Sequence, residues 1–335
     1  MDKNDPVLSQ QAQVVARLVS HYSKVTVLTG RVGLYEKHPN LTVINSNWIP
    51  GKSVTNGLRF LYKAVPILIR QRPEVIFSHM TDVQSFLISI ISFLLGIKHF
   101  LWYAHKSKSV YLRLNHAMLD GIITSTPGSC PIIGSKIYPI GQAVDEKQFP
   151  IRNLGSMNLD KLVHIGRFDR SKNVALIISE VEFARSIFPE LSLTLIGSPS
   201  NLEEAKYAKA VLFDSKNAVL DGWLNFESAI SRSKAPKILF KNDMFIHAYQ
   251  GSLDKTLVEA TMAGLPVVTV NLEYFAEFGV WSGKDESKTS LAKQIQYLKS
   301  LPPEKLASEL MYRREIAVEN HSLEKWIEKL VVILN

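Results

Sequence analysis

Two short polar stretches in the second half of the chain carry residue types suited to binding a diphosphate. The first is a loop ahead of an amphipathic stretch, and it consists of Gly251, Ser252, Leu253, Asp254, Lys255 and Thr256. The amides of such a loop, at the start of a helix, form a ready site for an anion. The second follows an apolar run and places Arg167 and Lys172 behind Gly166. An arginine grips a diphosphate through a forked pair of hydrogen bonds, and a lysine adds a mobile point charge.

Three further polar residues, Glu259, His79 and His105, are candidates for a binding site. Glu259 lies about one helical turn beyond the first loop, where its carboxylate would suit the hydroxyl groups of a ribose. His79 and His105 each come directly after an apolar strand. Every one of these features also has a plain structural interpretation, because a solvated basic turn or a histidine bonded at a strand end would look the same.

The chain alternates β-branched runs with helical spacing, which predicts βαβ units in parallel sheets. In the first half the predicted helices are 6–21, 58–70, 85–95 and 111–118, and the predicted strands are 24–29, 41–44, 74–77, 100–103, 121–124 and 136–138. In the second half the predicted strands are 161–165, 193–196, 218–220, 243–246 and 266–270, and the predicted helices are 174–186, 202–212, 253–263 and 321–334. Pro66 predicts a kink or break in its helix, and Gly264 a left-handed helix end. Doubly wound sheets bind ligands at the carboxyl ends of their strands, where the polar residues above lie.

Length and composition favour two domains with large cores. The chain has 335 residues, of which 46% are apolar, and this is more than one ordinary domain holds. Residues 150–156 are typical of a linker, so the predicted domains are 1–150 and 157–315, followed by a helix at 321–335. The single cysteine, Cys130, excludes a disulfide framework. This low cysteine content fits a reducing cytoplasm, so a cytoplasmic protein is expected. Residues 1–6 are polar and show no signal peptide.

A net charge of +8 favours anionic partners such as a nucleotide or a phospholipid surface. The run from Ser85 to Ile97 is apolar, but its length of about 13 residues falls short of the ~20 that cross a bilayer, so a buried helix is predicted. The helix at 58–70 carries Arg59 and Lys63 beside apolar residues. This cationic face predicts either contact with an anionic membrane, at the inner face of the cell membrane, or packing on a sheet, and both interpretations stay open.

Several chemistries lack their sequence signals. There is no Gly-x-Gly-x-x-Gly after a first strand and no Gly-x-x-x-x-Gly-Lys-Ser/Thr, which argues against dinucleotide and P-loop sites. No Gly-x-Ser-x-Gly is present, and Cys130 has no catalytic surroundings. Without an Asp-x-Asp pair or His-x-x-x-His spacing, no metal site and no cofactor are expected. The basic residues are not interleaved with aromatic ones, so nucleic acid is not an expected partner.

Together, the polar segments resemble those of glycosyltransferase family 4 in order and spacing. The segments that carry the resemblance are Gly166-Arg167…Lys172-Asn173, Leu195-Ile196-Gly197-Ser198-Pro199, Asp221-Gly222-Trp223 and Gly251…Glu259-Ala260-Thr261-Met262-Ala263-Gly264-Leu265-Pro266. Residues 138–149 are similar to the family's Pro-Asn-Gly-Val-Asp…Phe interdomain segment. The resemblance covers nearly the whole chain. It implies an α/β protein of GT-B fold, in which two Rossmann-like domains face each other across a cleft and the final helix crosses back to the first domain.

The resemblance also implies roles for individual residues. The implied catalytic residues are His105, Arg167 and Lys172; the implied donor-binding residues are Gly166, residues 251–256 and Glu259; and His79 and Gly222 are further candidates for the cleft. Arg167 and Lys172 match the family's diphosphate-binding cations. Glu259 matches the second glutamate of its Glu-x7-Glu motif, which binds the ribose, and His105 resembles a histidine near the reacting centre. The implied substrate is a UDP- or GDP-linked sugar, used without a metal.

Two departures from the family pattern bear on activity. The first glutamate of the motif should stand eight positions before Glu259, and that position is Gly251. The Gly-Ser-x-Asp-Lys sequence indicates a variant in which Asp254 accepts sugar hydroxyls and Lys255 adds charge, and a degenerate, inactive site is the alternative. The chain also begins with a helix, whereas such a sheet usually has an N-terminal strand at its centre. Two explanations are open: the sequence starts downstream of the usual start, or the first domain lacks that strand, and we expect the latter.

The sequence therefore predicts a cytoplasmic, retaining, metal-independent glycosyltransferase. It would move a sugar from a nucleotide-diphosphate donor to a glycan or lipid-linked glycan in surface polysaccharide synthesis. A sugar-nucleotide epimerase of the same fold is one alternative, although no acid/base carboxylates stand at the expected strand ends. An inactive GT-B protein that binds an anionic polymer is the other.

Overall fold

The computed structural model describes residues 1–3, 5, 9–152, 158–281 and 290–335. The chain divides into two compact units. The first comprises Met1–Ala143 and Leu323–Asn335, and the second comprises Val144–Ser322. The last helix therefore belongs to the first unit, although it follows the second unit in sequence.

The first unit is built from parallel strands and helices. Its helices are α1 (Ser9–Leu18), α2 (Ser53–Gln71), α3 (Asp82–Leu94), α4 (Val110–Met118) and, from the end of the chain, α13 (Leu323–Leu334). Its strands are β1 (Val25–Thr29), β2 (Leu41–Asn45), β3 (Val75–His79), β4 (Lys98–Trp102), β5 (Gly121–Thr124) and β6 (Ile137–Pro139). β1 pairs with β2, and β3, β4, β5 and β6 form a second sheet in that order. In the described part of the chain the first strand, β1, follows α1, and residues 6–8 of the helix predicted at 6–21 lie outside the described residues.

Helices cover both faces of the four-stranded sheet of the first unit. Alternate residues of a strand point to opposite faces. On β4, Trp102 shares a core with Trp326 of α13, whereas Leu101 shares one with Leu112 of α4. α3 packs beside both α2 and α4. The helices α2, α3 and α4 therefore lie on one face of the sheet, and α1 and α13 lie on the other.

The second unit has one five-stranded parallel sheet. Its strands are β7 (Lys161–Ile165), β8 (Ser192–Ile196), β9 (Leu224–Glu227), β10 (Met244–His247) and β11 (Val267–Thr269). Its helices are α5 (Val174–Arg185), α6 (Leu202–Asp214), α7 (Lys216–Leu220), α8 (Ala235–Lys241), α9 (Lys255–Met262), α10 (Leu272–Phe278), α11 (Leu291–Ser300) and α12 (Pro303–His321). The strand order is β11-β10-β7-β8-β9, with every pair parallel. From β7 the chain first builds outward through β8 and β9 and then returns to place β10 on the other side.

This reversal makes the boundary between β7 and β10 a topological switch point. The loops that leave the carboxyl ends of two such strands diverge, which opens a crevice at the sheet edge. The loop after β7 begins at Gly166, and the loop after β10 leads to α9. The two polar stretches singled out in the sequence therefore both start at the switch point.

One predicted element is wrong, and one predicted helix break does not occur. Residues 218–220, predicted as a strand, belong to α7, and the strand is β9 four residues further on. A three-residue apolar run cannot distinguish a strand from a short buried helix, and Gly222, at φ +79°, ends the helix. Of the kink or break predicted at Pro66, the break does not occur, because α2 spans Pro66 as one helix.

The apolar segment at 85–95 forms a helix, as predicted, but it is not wholly buried. Ile90, Phe93 and Leu94 on the outer side of α3 are exposed to solvent. Within the described residues, no helix combines the length and the hydropathy needed to cross a bilayer. The run is therefore a surface helix of the first unit with an apolar outer side.

Candidate functional site

The loop after β10 is tied to the first turn of α9. Asp254 is the N-cap residue, and its Oδ1 accepts the amide of Thr256 at 3.4 Å. α9 therefore begins at Lys255, two residues later than predicted. Its residues Leu257 and Val258 are fully buried, and Gly264, at φ +75°, ends the helix as predicted. The core thus fixes the axis of α9, and the cap fixes where its N-terminal amides begin.

A buried asparagine holds the loop between β10 and α9 in shape. The side-chain amide of Asn271 donates to the carbonyl oxygens of Tyr249 at 2.9 Å, Ser252 at 3.2 Å and Gly251 at 3.3 Å. Asn271 is itself fully buried and caps α10, because its Oδ1 accepts the amide of Tyr274 at 2.9 Å. These bonds satisfy carbonyl groups that a tight loop would otherwise leave unpaired.

The loop after β7 delivers Lys172 to the same place. Oδ1 of Asp169 accepts the amides of Ser171 at 2.8 Å and Lys172 at 3.1 Å, which winds residues 170–172 into a single 3-10 turn. The Lys172 ammonium group then donates to Oδ2 of Asp254, and its Nζ lies 4.0 Å from the centroid of the Tyr249 ring. A lysine is therefore fixed across the switch point, between the loops of β7 and β10.

Asp254 is ionised in this arrangement. Burial opposes its ionisation, but the charge of Lys172 and a hydrogen bond from His247 outweigh burial and hold the pKa of the Asp254 carboxyl well below its usual range. The His247 contact joins Nε2 to Oδ2 at 3.2 Å. The same carboxylate thus caps α9, pairs with Lys172 and contacts His247.

A second histidine lies behind the first. The rings of His164 on β7 and His247 on β10 are 5.7 Å apart, and Nδ1 of His164 bonds to the carbonyl oxygen of Ile246 at 3.0 Å. A Cβ atom at Gly166 would lie 2.7 Å from Nε2 of His164. A glycine is therefore needed at position 166 to leave room for the His164 ring under the loop. This requirement is separate from any need for a ligand to approach the backbone closely.

Acidification below about pH 6.5 should destabilise the protein through its buried histidines. Burial, helped by the neighbouring His247, lowers the pKa of His164 to about 3, and burial against the opposing charge of Asp120 lowers that of His99 to about 4. An unfolded histidine has a pKa near 6.5, so the unfolded state takes up protons first as the pH falls. Each histidine should then remove about 1.4 kcal/mol of unfolding free energy per pH unit below 6.5, while the stability is fully present above it.

Calorimetric unfolding between pH 7.5 and 5 measures this slope. The His164→Asn variant should lose the share that His164 contributes. An unchanged slope in that variant would show that His164 is not kept neutral by the fold.

Glu259 lies in a cluster of charges one turn into α9. Its side chain is buried and forms an ion pair with Arg232, which precedes α8. Burial and the charge of Arg232, against the opposing charges of Glu259 and Asp145, lower the pKa of Lys255 to about 7. The carboxylate that the sequence predicts for a ribose thus already has a cation beside it. In the described part of the chain, no group of three or more histidine, cysteine or acidic side chains is arranged to hold a metal ion.

Tyr249 fills the space next to Gly251. A Cβ atom at Gly251 would lie 1.9 Å from both Cζ and Oη of Tyr249. The position where the family pattern has a glutamate therefore has no room for a side chain while the tyrosine ring keeps its place. The ring in turn is held by the cation of Lys172.

Arg167 and Gly222 lie apart from the cluster of site residues formed by the loops after β7 and β10 and the first turns of α9. The Arg167 side chain is 61% exposed and lies 3.6 Å from Oδ2 of Asp169 and 3.9 Å from Oε1 of Glu204. It is therefore directed to the start of α6 and not to Asp254. Gly222 precedes β9 and so lies at the amino end of a strand, at the edge of the sheet opposite to the switch point.

The two first-unit histidines that the sequence predicts for the site, His79 and His105, have local partners. His79 ends β3, where its Nε2 is 2.9 Å from the side-chain Nε2 of Gln11 and its ring stacks on Trp102. His105 follows β4 and is exposed, and its Nδ1 accepts the amide of Ser107 at 2.9 Å. Of the predicted site residues, the structure thus brings together Gly166, Lys172, Glu259 and residues 251–256.

Five residues of the cluster were missed in the sequence. They are His164, Arg232, His247, Tyr249 and Asn271. His247 ends an apolar strand and Tyr249 lies two residues before Gly251, which is a readable signal. Arg232 and Asn271 stand in ordinary helix-start patterns, Ser-Arg-Ser-Lys-Ala-Pro and Val-Asn-Leu-Glu, and nothing in those patterns points to the site.

No family model and no curated protein sequence matches this chain. Solved structures do resemble it. Anabaena HepE in complex with UDP and glucose superposes with a TM-score of 0.72 at 15% identity, over 99% of this chain and 98% of that chain. Sucrose-phosphate synthase from Thermosynechococcus elongatus gives 0.71 at 15%, over 96% and 90%. A glycosyltransferase from Rickettsia africae gives 0.72 at 11%, over 100% and 96%. The likeness over the full chain confirms the predicted GT-B fold.

Proposed function

We propose that this protein is a retaining, metal-independent glycosyltransferase. In this proposal it works in the cytoplasm on a nucleotide-diphosphate sugar, and the acceptor is a glycan or lipid-linked glycan of a surface polysaccharide. One observation carries the proposal above the others. Lys172 is fixed at the N-terminus of a buried helix, at the switch point of a parallel sheet, with the carboxylate of Glu259 one turn further in.

The diphosphate would bind between Lys172 and the first amides of α9. A helix N-terminus favours negative charge, and its amides point outward to donate. Lys172 has three donor hydrogens, so it can bond to phosphate oxygens in place of, or together with, Asp254. The structures of HepE were solved with UDP, which supports a nucleoside diphosphate as the donor group.

Glu259 would accept hydrogen bonds from the ribose hydroxyls. In this structure its charge is balanced by Arg232, and a nucleotide can reach this ion pair because the Arg232 side chain is 32% exposed. On nucleotide binding, Arg232 would exchange part of this contact for the nucleotide's phosphates. This gives the ion pair a second role beside its contribution to the fold.

Sugar transfer at this site needs no enzymic nucleophile. The acceptor oxygen attacks the anomeric carbon while the bond from that carbon to the diphosphate oxygen breaks, and the electron pair stays with the diphosphate. The acceptor proton passes to the leaving phosphate oxygen on the same face of the sugar, so the configuration is retained. Lys172 and the α9 amides stabilise the negative charge that grows on the diphosphate.

A thermal-shift panel of UDP, GDP, ADP and their sugar conjugates tests the proposal. A ligand at 100 times its Kd adds about 2.7 kcal/mol of stability, so the matching nucleotide should raise the midpoint by several degrees. No shift with any of them would refute the transferase. A shift without transfer to any glycan acceptor would instead favour the inactive alternative, and conversion of the donor sugar without an acceptor would favour the epimerase.

Glu259→Gln should weaken binding of the matching nucleoside diphosphate about tenfold, and Asp254→Asn should not. The first removes a charged acceptor for the ribose, and a hydrogen bond to a charged group contributes about 1.5–3 kcal/mol. The second releases Lys172 from its carboxylate and leaves it free for the phosphates. Isothermal titration of both variants measures the order. The reverse order would mean that the ribose and sugar ends of the site are exchanged.

A further inference from the structure

The helix α3 exposes more large apolar side chains to solvent than it buries. Three of its four buried residues are the serines Ser85, Ser89 and Ser92, and the fourth is Ile88. Its outer side presents large apolar residues, of which Phe93 is 72% and Leu94 76% exposed. A helix on a soluble surface normally places its apolar side on the core and its polar side outward. Small polar residues inward and large apolar residues outward indicate that something apolar covers the outer side.

The helices on either side of α3 extend the same surface. On α2, Val54, Leu58 and Tyr62 are exposed at four-residue spacing, which aligns them along one side of a helix. On α4, Val110 and Tyr111 are exposed as well. Because α3 packs between α2 and α4 on one face of the sheet, these residues form a continuous outer layer. We name this layer, the outer sides of α2, α3 and α4, the apolar helix face.

Basic residues flank this face and acidic residues are nearly absent from it. Residues 46–119 contain nine lysines and arginines and two acidic residues, Glu74 and Asp82, so this stretch carries most of the net charge of the whole chain. On the two flanking helices and the loop ahead of α4 the basic residues are Lys52, Arg59, Lys63, Arg70, Lys106, Lys108 and Arg113. Asp82 is used locally, since its Oδ1 accepts the amide of Val83 at 3.0 Å. The exposed apolar side chains of α3 therefore lie between basic residues of α2 on one side and basic residues of α4 and its preceding loop on the other.

We propose that the apolar helix face rests on an anionic phospholipid bilayer. The side chains of α3 would enter the boundary between headgroups and acyl chains, while the basic residues of α2 and α4 contact lipid phosphates. Apolar burial and electrostatic attraction together give the reversible binding of a peripheral protein. The charge favours lipid over a second copy of this chain, because two such faces would repel each other. This surface goes beyond the proposed function and does not depend on it.

Co-sedimentation of the full chain with vesicles tests the proposal. The protein should bind vesicles of phosphatidylcholine and phosphatidylglycerol in equal parts at least tenfold more strongly than pure phosphatidylcholine, and 0.5 M salt should reverse most of the binding. The double variant Phe93→Ser/Leu94→Ser should lose at least tenfold in partition coefficient. So should Arg59→Glu/Lys63→Glu on α2.

The matched control is Leu212→Ser/Phe213→Ser on α6 of the second unit, where Phe213 is 71% exposed. This control should bind vesicles like the wild type. Equal loss in the control, or no binding of the wild type to either vesicle, would overturn the proposal. So would a wild-type dimer in light scattering that the Phe93→Ser/Leu94→Ser variant disperses, because the face would then be an interface between copies. Thermal shifts with nucleotides should be the same in all these variants, which separates this test from that of the donor site.

Discussion

Replacing Lys172 by alanine should weaken the binding of a nucleoside diphosphate by about 100-fold. The Lys172 ammonium group lies between the loops of β7 and β10, so its loss removes the fixed cation from the phosphates. A hydrogen bond to a charged group contributes about 1.5–3 kcal/mol, and each 1.4 kcal/mol changes Kd tenfold. Isothermal titration with UDP, GDP and ADP measures the change. Lys206→Ala on α6, which removes an exposed lysine paired with its helix neighbour Glu203, is the control and should bind like the wild type.

The same substitution also leaves Asp254 without its cation. A partly buried carboxylate that loses its partner destabilises the fold, by less than the 3–5 kcal/mol known for fully buried pairs. Adding Asp254→Asn removes the uncompensated charge. The double variant Lys172→Ala/Asp254→Asn should therefore regain the thermal midpoint of the wild type but not its affinity for the nucleotide. If affinity returned together with stability, Lys172 would only neutralise Asp254 and would not bind the phosphates.

Local signals predict the elements around this site closely. The strand, loop, helix and second strand that include residues 243–268 are found within two residues of their predicted bounds. Each boundary there has its own cause: an apolar first strand, a β-branched second strand, a polar N-cap, and a glycine that adopts the left-handed conformation at position 264. The parallel pairing of all strands also follows from the alternation of strands and helices.

Predictions fail where tertiary packing outweighs a local pattern. The apolar run 218–220 is too short to show a periodicity, so the sequence predicts a strand where the structure has α7. Pro66 removes one hydrogen bond, but α2 continues as a helix through it, because Leu68 and Ala64 are buried against the neighbouring helix and strands. The outer side of α3 is a different case. Hydropathy identifies an apolar helix but cannot tell which side faces the core.

The site itself could be predicted only in part. Lys172 and Asp254 were both singled out, but their direct pairing joins residues 82 positions apart and depends on the order of β7 and β10 in the sheet. The pairing of Glu259 with Arg232 depends on where α8 packs. The sequence contains the residue types, and only the strand order decides which of them meet.

Gly251→Ala should lower the free energy of unfolding by about 1–3 kcal/mol. Gly251 does not have a positive φ, so its backbone is open to any residue type. At such a position, exchanging glycine for alanine usually stabilises a protein by about 0.4–1 kcal/mol. Here the new Cβ would lie 1.9 Å from Cζ and Oη of Tyr249, and the ring would have to leave the Lys172 cation to make room. The sign of the effect, measured by calorimetric or urea unfolding, therefore reports whether the ring is held in place.

A double-mutant cycle assigns that cost to Tyr249. In the Tyr249→Ala background the obstruction is gone, so Gly251→Ala should be neutral or stabilising. The coupling free energy between the two positions should then be about 1–3 kcal/mol, in the range found for residues in direct contact. Additive effects would show that the ring swings aside freely.

The same cycle decides how the missing glutamate is to be understood. Gly251→Glu should weaken the binding of the nucleotide sugar, because the new side chain displaces the ring and draws Lys172 toward its own carboxylate. In the double variant Tyr249→Ala/Gly251→Glu the volume of the ring is free for the glutamate, and affinity should rise about tenfold above that of the single variant. Equal affinities would mean that Tyr249 does not occupy the position of the motif carboxylate. The expected rise would mean that Gly251 and Tyr249 together replace the motif glutamate, with the tyrosine ring filling the volume of the missing side chain. A degenerate site that had lost the glutamate by chance would not show this coupling.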